Sequence, residues 1–229
     1  AVAEEAGSIG RLGELVLERA LADFARWLRE QRVDDDFVVH VNVSRTQLAS
    51  PSYVGSVAAR LGAHGIDPHR LVLEARETPL LSTQPGVVRT IRALRRLGVR
   101  IAIDDFGTGA RSLAVLTDVG ADVLKLDGSL ALPSGSSLAE IRVVRAVVAL
   151  AHALDIDVVA ERVDGPEQLE RLQAAGCDML QGNLLGAPIT KAAAPPPKAP
   201  EHKASSATTV AAAAATPKPE TRLAPDGKQ

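Results

Sequence analysis

A chain of 229 residues, 46% of them hydrophobic, can bury one sizeable core. Its 26 basic and 28 acidic side chains leave a formal charge of −2, which excludes the global basic field that would draw a nucleic-acid polymer. A lone cysteine, Cys177, excludes an intramolecular disulfide and fits a reducing, cytoplasmic setting.

The chain opens on Ala1 without a signal-peptide pattern, so its start reads as that of a fragment or a processed protein. From there, "IGRLGELVLERALADFARWLREQ" (9 to 31) sets Leu12, Leu15, Leu21, Phe24 and Leu28 at helical spacing. Short β-rich runs follow: "FVVHVNV", "LVLEA", "IAIDD", "DVLKLD", "DVVAE" and "DMLQG". Helical segments separate them at 51 to 63, 84 to 97, 137 to 154 and 166 to 175, with a shorter one around 111 to 119. "GIDPHRL" (65 to 71) reads as a helix-to-strand connection, and the arginines of "RTIRALRRLGVR" (89 to 100) as a solvated face. The most apolar stretch, "VVRAVVALAHALDIDVVA", is broken by Arg145, His152 and two aspartates, so no membrane segment is expected. Beyond residue 190 the composition changes. Residues 191 to 229 hold seven of the 14 prolines and no aromatic residue, and read as a disordered tail behind a domain of residues 1 to 190.

Strands alternating with helices imply parallel βα units and an α/β fold. The C-terminal ends of the six strands carry, in order, Asn42, Glu74, Asp104 with Asp105, Lys125 with Asp127, Glu161, and Gln181. A doubly wound open sheet would spread these along an edge, whereas a closed parallel barrel gathers them on one face, where active sites are built. Their convergence favours the barrel. Asn42, Glu74, Asp104, Asp105 and Glu161 offer hard oxygen donors, a set suited to Mg²⁺, Mn²⁺ or Ca²⁺. Adjacent carboxylates can serve two ions that clamp a phosphate and supply a hydroxide nucleophile, with Lys125 as a nearby positive charge.

Simpler readings compete at single positions. Asn42 suits a turn or cap, Glu74 with Glu77 a solvated pair, and Lys125 with Asp127 a surface pair. The "DFG" at 105 to 107 also occurs in protein kinases, but no HRD-type catalytic loop accompanies it. The five histidines lack metal-ligand spacing, so solvated or satisfied roles are expected, and Cys177 reads as a small buried hydrophobe.

Taken together, "NVS" (42 to 44), "LEARE" (73 to 77), "DDFGTG" (104 to 109), "KLD" (125 to 127), "AERVD" (160 to 164) and "QGNLLGAPI" (181 to 189) resemble the ordered blocks of the EAL family. Its members are bacterial cyclic-di-GMP phosphodiesterases, and the resemblance covers roughly residues 1 to 190. It implies a modified, TIM-like (β/α)₈ barrel that hydrolyses cyclic-di-GMP to linear pGpG with two Mg²⁺ or Mn²⁺ ions. By motif position, Asn42, Glu74, Asp104 and Asp105 would hold the metals. Glu161 would serve the second metal or act as general base, and Lys125 would position the water. Glu77 would brace the loop that begins at Asp105, a loop tied in the family to dimerisation; Asp127 would support the site and Gln181 the substrate side. The resemblance also implies a possible homodimer and upstream sensory or GGDEF-type domains.

This sequence departs from the family pattern at several points. The Glu-Ala-Leu strand that names the family is absent, which implies a barrel incomplete at its N-terminus and a site short of one carboxylate. Arg76 replaces the usual threonine, Arg111 the usual serine, and Arg162 and Asp164 the usual glycine and glutamate. These changes keep open a rival reading: a non-catalytic domain that binds cyclic-di-GMP or a partner protein.

Overall fold

The computed structural model describes residues 9–76, 85–107, 116, 120–130 and 135–186. Glu77, Arg111, the tail from 191 to 229 and, Leu116 apart, the helix expected at 111 to 119 lie outside these described residues.

Helix α1 (Ile9–Arg29) is amphipathic and buries Leu17, Leu21, Phe24 and Trp27. Phe37, just before the first strand, receives it: the Phe24 ring lies 5.7 Å from that of Phe37, and Trp27 meets Phe37 edge-on at 6.3 Å. Strand β1 (Val39–Asn42) leads into α2 (Arg45–Ala49), whose start is fixed by a reciprocal Ser44–Gln47 capping box. Helix α3 (Tyr53–His64) and a 3₁₀ turn at Pro68–Arg70 precede β2 (Leu71–Arg76). Helix α4 (Pro85–Leu97) and β3 (Arg100–Phe106) follow. The remaining elements are β4 (Val123–Leu126), α5 (Leu138–His152), β5 (Asp157–Ala160), α6 (Pro166–Ala175) and β6 (Met179–Leu180). On α4, Arg89, Arg92, Arg95 and Arg96 are exposed, as expected of a solvated face.

All six strands are parallel and their order in the sheet is their order in the chain. Each βα unit therefore lays its strand beside the previous one, and the twisted sheet curves into a half-barrel backed by helices. Alternation along the strands sorts the side chains. Leu71, Leu73, Ile101, Ile103, Leu124 and Leu126 face the helices in the main core. On the opposite, concave face, Val72, Ala102, Val123 and Val159 form a separate apolar layer, flanked by Val38 and Met179. One step further along the same face stand His40, Glu74, Asp104, Lys125, Glu161 and Gln181. The apolar layer is thus a floor, and the polar layer lies on it. No helix among the described residues is long and apolar enough to cross a membrane.

Candidate active site

Lys125 is the centre of the polar layer. Its side chain is 4% exposed, and its Nζ lies 2.9 Å from Glu74 Oε2, 3.2 Å from Asp104 Oδ1 and 2.6 Å from Glu161 Oε1. An ammonium has three donors and here three carboxylates, one from each of three other strands. Burial alone would push the lysine pKa down, but the three carboxylates outweigh it and hold the group above its ordinary range.

The carboxylates differ among themselves. Burial pushes the Glu74 carboxyl up, yet the His40 hydrogen bond and the Lys125 charge more than offset it, so Glu74 lies below its ordinary value. Both of its oxygens are engaged: Oε1 lies 2.8 Å from His40 Nδ1, and Oε2 accepts from Lys125. Asp104 and Glu161 are shifted upward, chiefly by burial, against the pull of Lys125. The Asp104–Lys125 contact is an ion pair that falls short of hydrogen-bond geometry, so buried Asp104 Oδ1 lacks a hydrogen bond.

Asp105 needs a separate explanation. On a regular strand, successive side chains point to opposite faces, and Asp105 would turn away from Asp104. The β3–β4 register instead shifts between Ile103 and Phe106, and Asp105 has φ 58°. This left-handed residue, which costs an L-side chain roughly 1–2 kcal/mol, returns the second carboxylate to the first. Among the described residues, Asp104, Asp105 and Glu161 each offer an oxygen within 4.8 Å of the others. Three carboxylates, one with a buried oxygen held by the Lys125 ion pair alone, form a donor set that fits a hard divalent cation.

The other expected site residues surround this group. Asn42 is exposed and in register with Glu74 across β1–β2. Asp127 accepts the Ser129 N–H at 2.8 Å, which holds its carboxyl below the usual range and ties down the turn after β4. Arg162, also left-handed at φ 57°, approaches Asp127 at 3.8 Å and lies across Gly128, where a Cβ would come within 2.4 Å of its Cδ. Gln181 follows β6 with its Oε1 buried and lacking a hydrogen bond. His40 is the site residue that spacing arguments did not single out. The available signal was its position two residues before Asn42 on one face of β1, which puts it against Glu74.

Gly182 shows how tightly this corner is built. A Cβ there would fall 2.2 Å from both the N and the O of Val163. Gly182→Ala should therefore cost about 1–3 kcal/mol, the range for overpacking, read as a lower urea midpoint; a wild-type midpoint would mean that the β5 and β6 loops separate freely.

The EAL domain family profile matches residues 1–188. The chain belongs to the EAL family. MucR of Pseudomonas aeruginosa, a bifunctional diguanylate cyclase/cyclic-di-GMP phosphodiesterase, is 36% identical over 188 residues, 82% of this chain and 27% of MucR. The MucR phosphodiesterase structure in complex with cyclic-di-GMP superposes with a TM-score of 0.74, covering 82% of this chain and 81% of that one. The EAL domain of Mycobacterium smegmatis DcpA is 37% identical, with a TM-score of 0.73 over 80% of this chain and 81% of that one. This EAL chain spans only 22 to 30% of the length of four curated relatives it matches.

Proposed function

We propose that this EAL chain hydrolyses cyclic-di-GMP to linear pGpG with two Mg²⁺ or Mn²⁺ ions, as part of a longer signalling polypeptide. The supporting observation is the Lys125 ammonium bound to three strand-end carboxylates beside an acidic donor set. Asn42, Glu74, Asp104, Asp105 and Glu161 would hold the ions. Ions so placed polarise a phosphodiester and make bound water acidic. Lys125 fixes the directions of three carboxylates and presents positive charge to the attacking water or a phosphoryl oxygen. Glu161, shifted upward chiefly by burial, would serve the second ion or accept the proton of the water that attacks phosphorus, while the 3′-oxygen departs in line and takes its proton from solvent. Asp127 steadies the turn after β4, and Gln181 offers its unpartnered oxygen to the nucleotide.

Glu161→Gln keeps size and polarity but removes the base or ligand charge. Hydrolysis should fall by about 10²-fold or more, measured as pGpG formation, while cyclic-di-GMP binding persists. A second reading, a receptor without turnover, is favoured by the ion pair between Arg76 and Asp105. Binding of cyclic-di-GMP by the unmodified full-length protein, with no linear product in either Mg²⁺ or Mn²⁺, would establish it instead.

A further inference from the structure

Among the described residues, Lys125 and Arg76 both touch the acidic group, and they are built differently. Lys125 is buried and held by three carboxylates. Arg76 stands at the C-terminal end of β2, two residues beyond Glu74 and in register with Asp104. Its side chain is 73% exposed, and its Nε lies 3.3 Å from Asp105 Oδ2. A lysine so enclosed cannot leave without stranding buried charge, whereas an exposed guanidinium in a weak ion pair can swing into water.

We propose that Arg76 is an intrinsic competitor for the divalent cation at Asp105 and thereby sets the metal affinity of this chain. The inference rests on the reading that the acidic group takes such a cation. An oxygen of Asp105 cannot serve the guanidinium and an ion at full strength together, and a monovalent cation left beside a divalent one repels it. Ion binding at Asp105 is therefore opposed by the Arg76 contact with Oδ2. The uncharged threonine that the family pattern places here would offer no such competition. Asp105 is also held in its left-handed conformation beside Asp104, so the carboxylate stays poised at the site while the arginine moves.

The test is a Mn²⁺ titration of the ion-free complete protein at low salt, followed by the electron paramagnetic resonance signal of free Mn²⁺. Arg76→Thr and Arg76→Gln should each bind Mn²⁺ up to about fivefold more tightly, the equivalent of an exposed ion pair at its strongest. The gain should shrink as added salt shortens the screening length, and it should vanish in an Asp105→Asn background. Unchanged or weaker affinity in both variants would overturn the proposal. So would a full gain in the Asp105→Asn background, or no Mn²⁺ bound by any of the proteins. Catalysis is read separately. Tighter Mn²⁺ binding in Arg76→Thr without pGpG formation would defeat the hydrolytic reading and leave the competition intact.

Discussion

Lys125→Met should destabilise the ion-free protein by about 3–5 kcal/mol at neutral pH, the penalty for removing one partner of a buried charge group, and should abolish hydrolysis. Methionine matches the length of the lysine stem, so packing above the apolar floor is largely kept. What disappears is the positive charge shared by Glu74, Asp104 and Glu161. The substitution leaves three carboxylates facing one another in a concave, mostly buried layer. Their repulsion is relieved by taking up protons, so the deficit should narrow as the pH falls toward the ordinary carboxylate range. Urea unfolding of both proteins across that range gives the measurement. Equal stability at neutral pH would show that the ammonium does not hold the carboxylates together. In the native protein the Lys125 contribution persists through neutral pH and is lost only in strongly alkaline solution, because its pKa is raised in the folded state.

Asp104→Asn should move activity and stability in opposite directions. Loss of an outer-shell partner already costs metal affinity about 10–100-fold. Replacing a carboxylate of the donor set itself should exceed that, with hydrolysis falling at least 100-fold. Chelator should do the same to the native protein, and undiminished turnover in excess chelator would defeat the proposed two-ion mechanism. Stability follows another rule. The folded state raises the Asp104 pKa, so it binds more protons there than the unfolded chain does, and this residue's contribution to stability falls as pH rises through the shifted range. A neutral isostere escapes that penalty. Without metal, Asp104→Asn should melt at a higher temperature than the native protein at neutral pH, and the difference should fade on acidification. A lower melting temperature at every pH would mean that the contact with Lys125 outweighs the burial of the carboxylate.

Much of this arrangement was legible in the sequence because both relevant periods were clean. Each of the six β-rich runs became a parallel strand, and helix α6 begins and ends where its pattern does, at Pro166 and Ala175. The strand-end residues could be named because a strand that ends in a carboxylate or amide is exceptional among runs of valine, isoleucine and leucine. Sequence alone could not convey how they are paired. Asp104 and Asp105 are adjacent, and strict alternation would have separated them; only a register shift and one left-handed residue bring them together. His40 was passed over because a lone histidine has no spacing signature, and its meaning comes from a partner 34 positions away. Lys125 could be placed near a phosphate, but its triple grip depends on the curvature of the whole sheet. Strand β6 is shorter than "DMLQG" suggests because the ladder ends at Leu180, although Gln181 still donates its N–H to Ala160 O at 2.9 Å.

The strand order has a consequence for how the chain assembles. Because the strands line up as they are made, a nascent chain can add each one to a growing edge as it leaves the ribosome, and the charges arrive in the same sequence. Glu74 is met at once, since His40 lies on the strand already in place. Asp104 and Asp105 come next, one strand before the ammonium that pairs with Asp104. Until β4 emerges, a chain made through β3 therefore sets His40 against Glu74 and Arg76 against Asp105, while Asp104 still awaits Lys125. Lys125 then joins Glu74 to Asp104, and Glu161 completes the group one strand later. In biosynthetic terms, the residue at the heart of the site is also the one whose arrival pairs the carboxylate left waiting on β3.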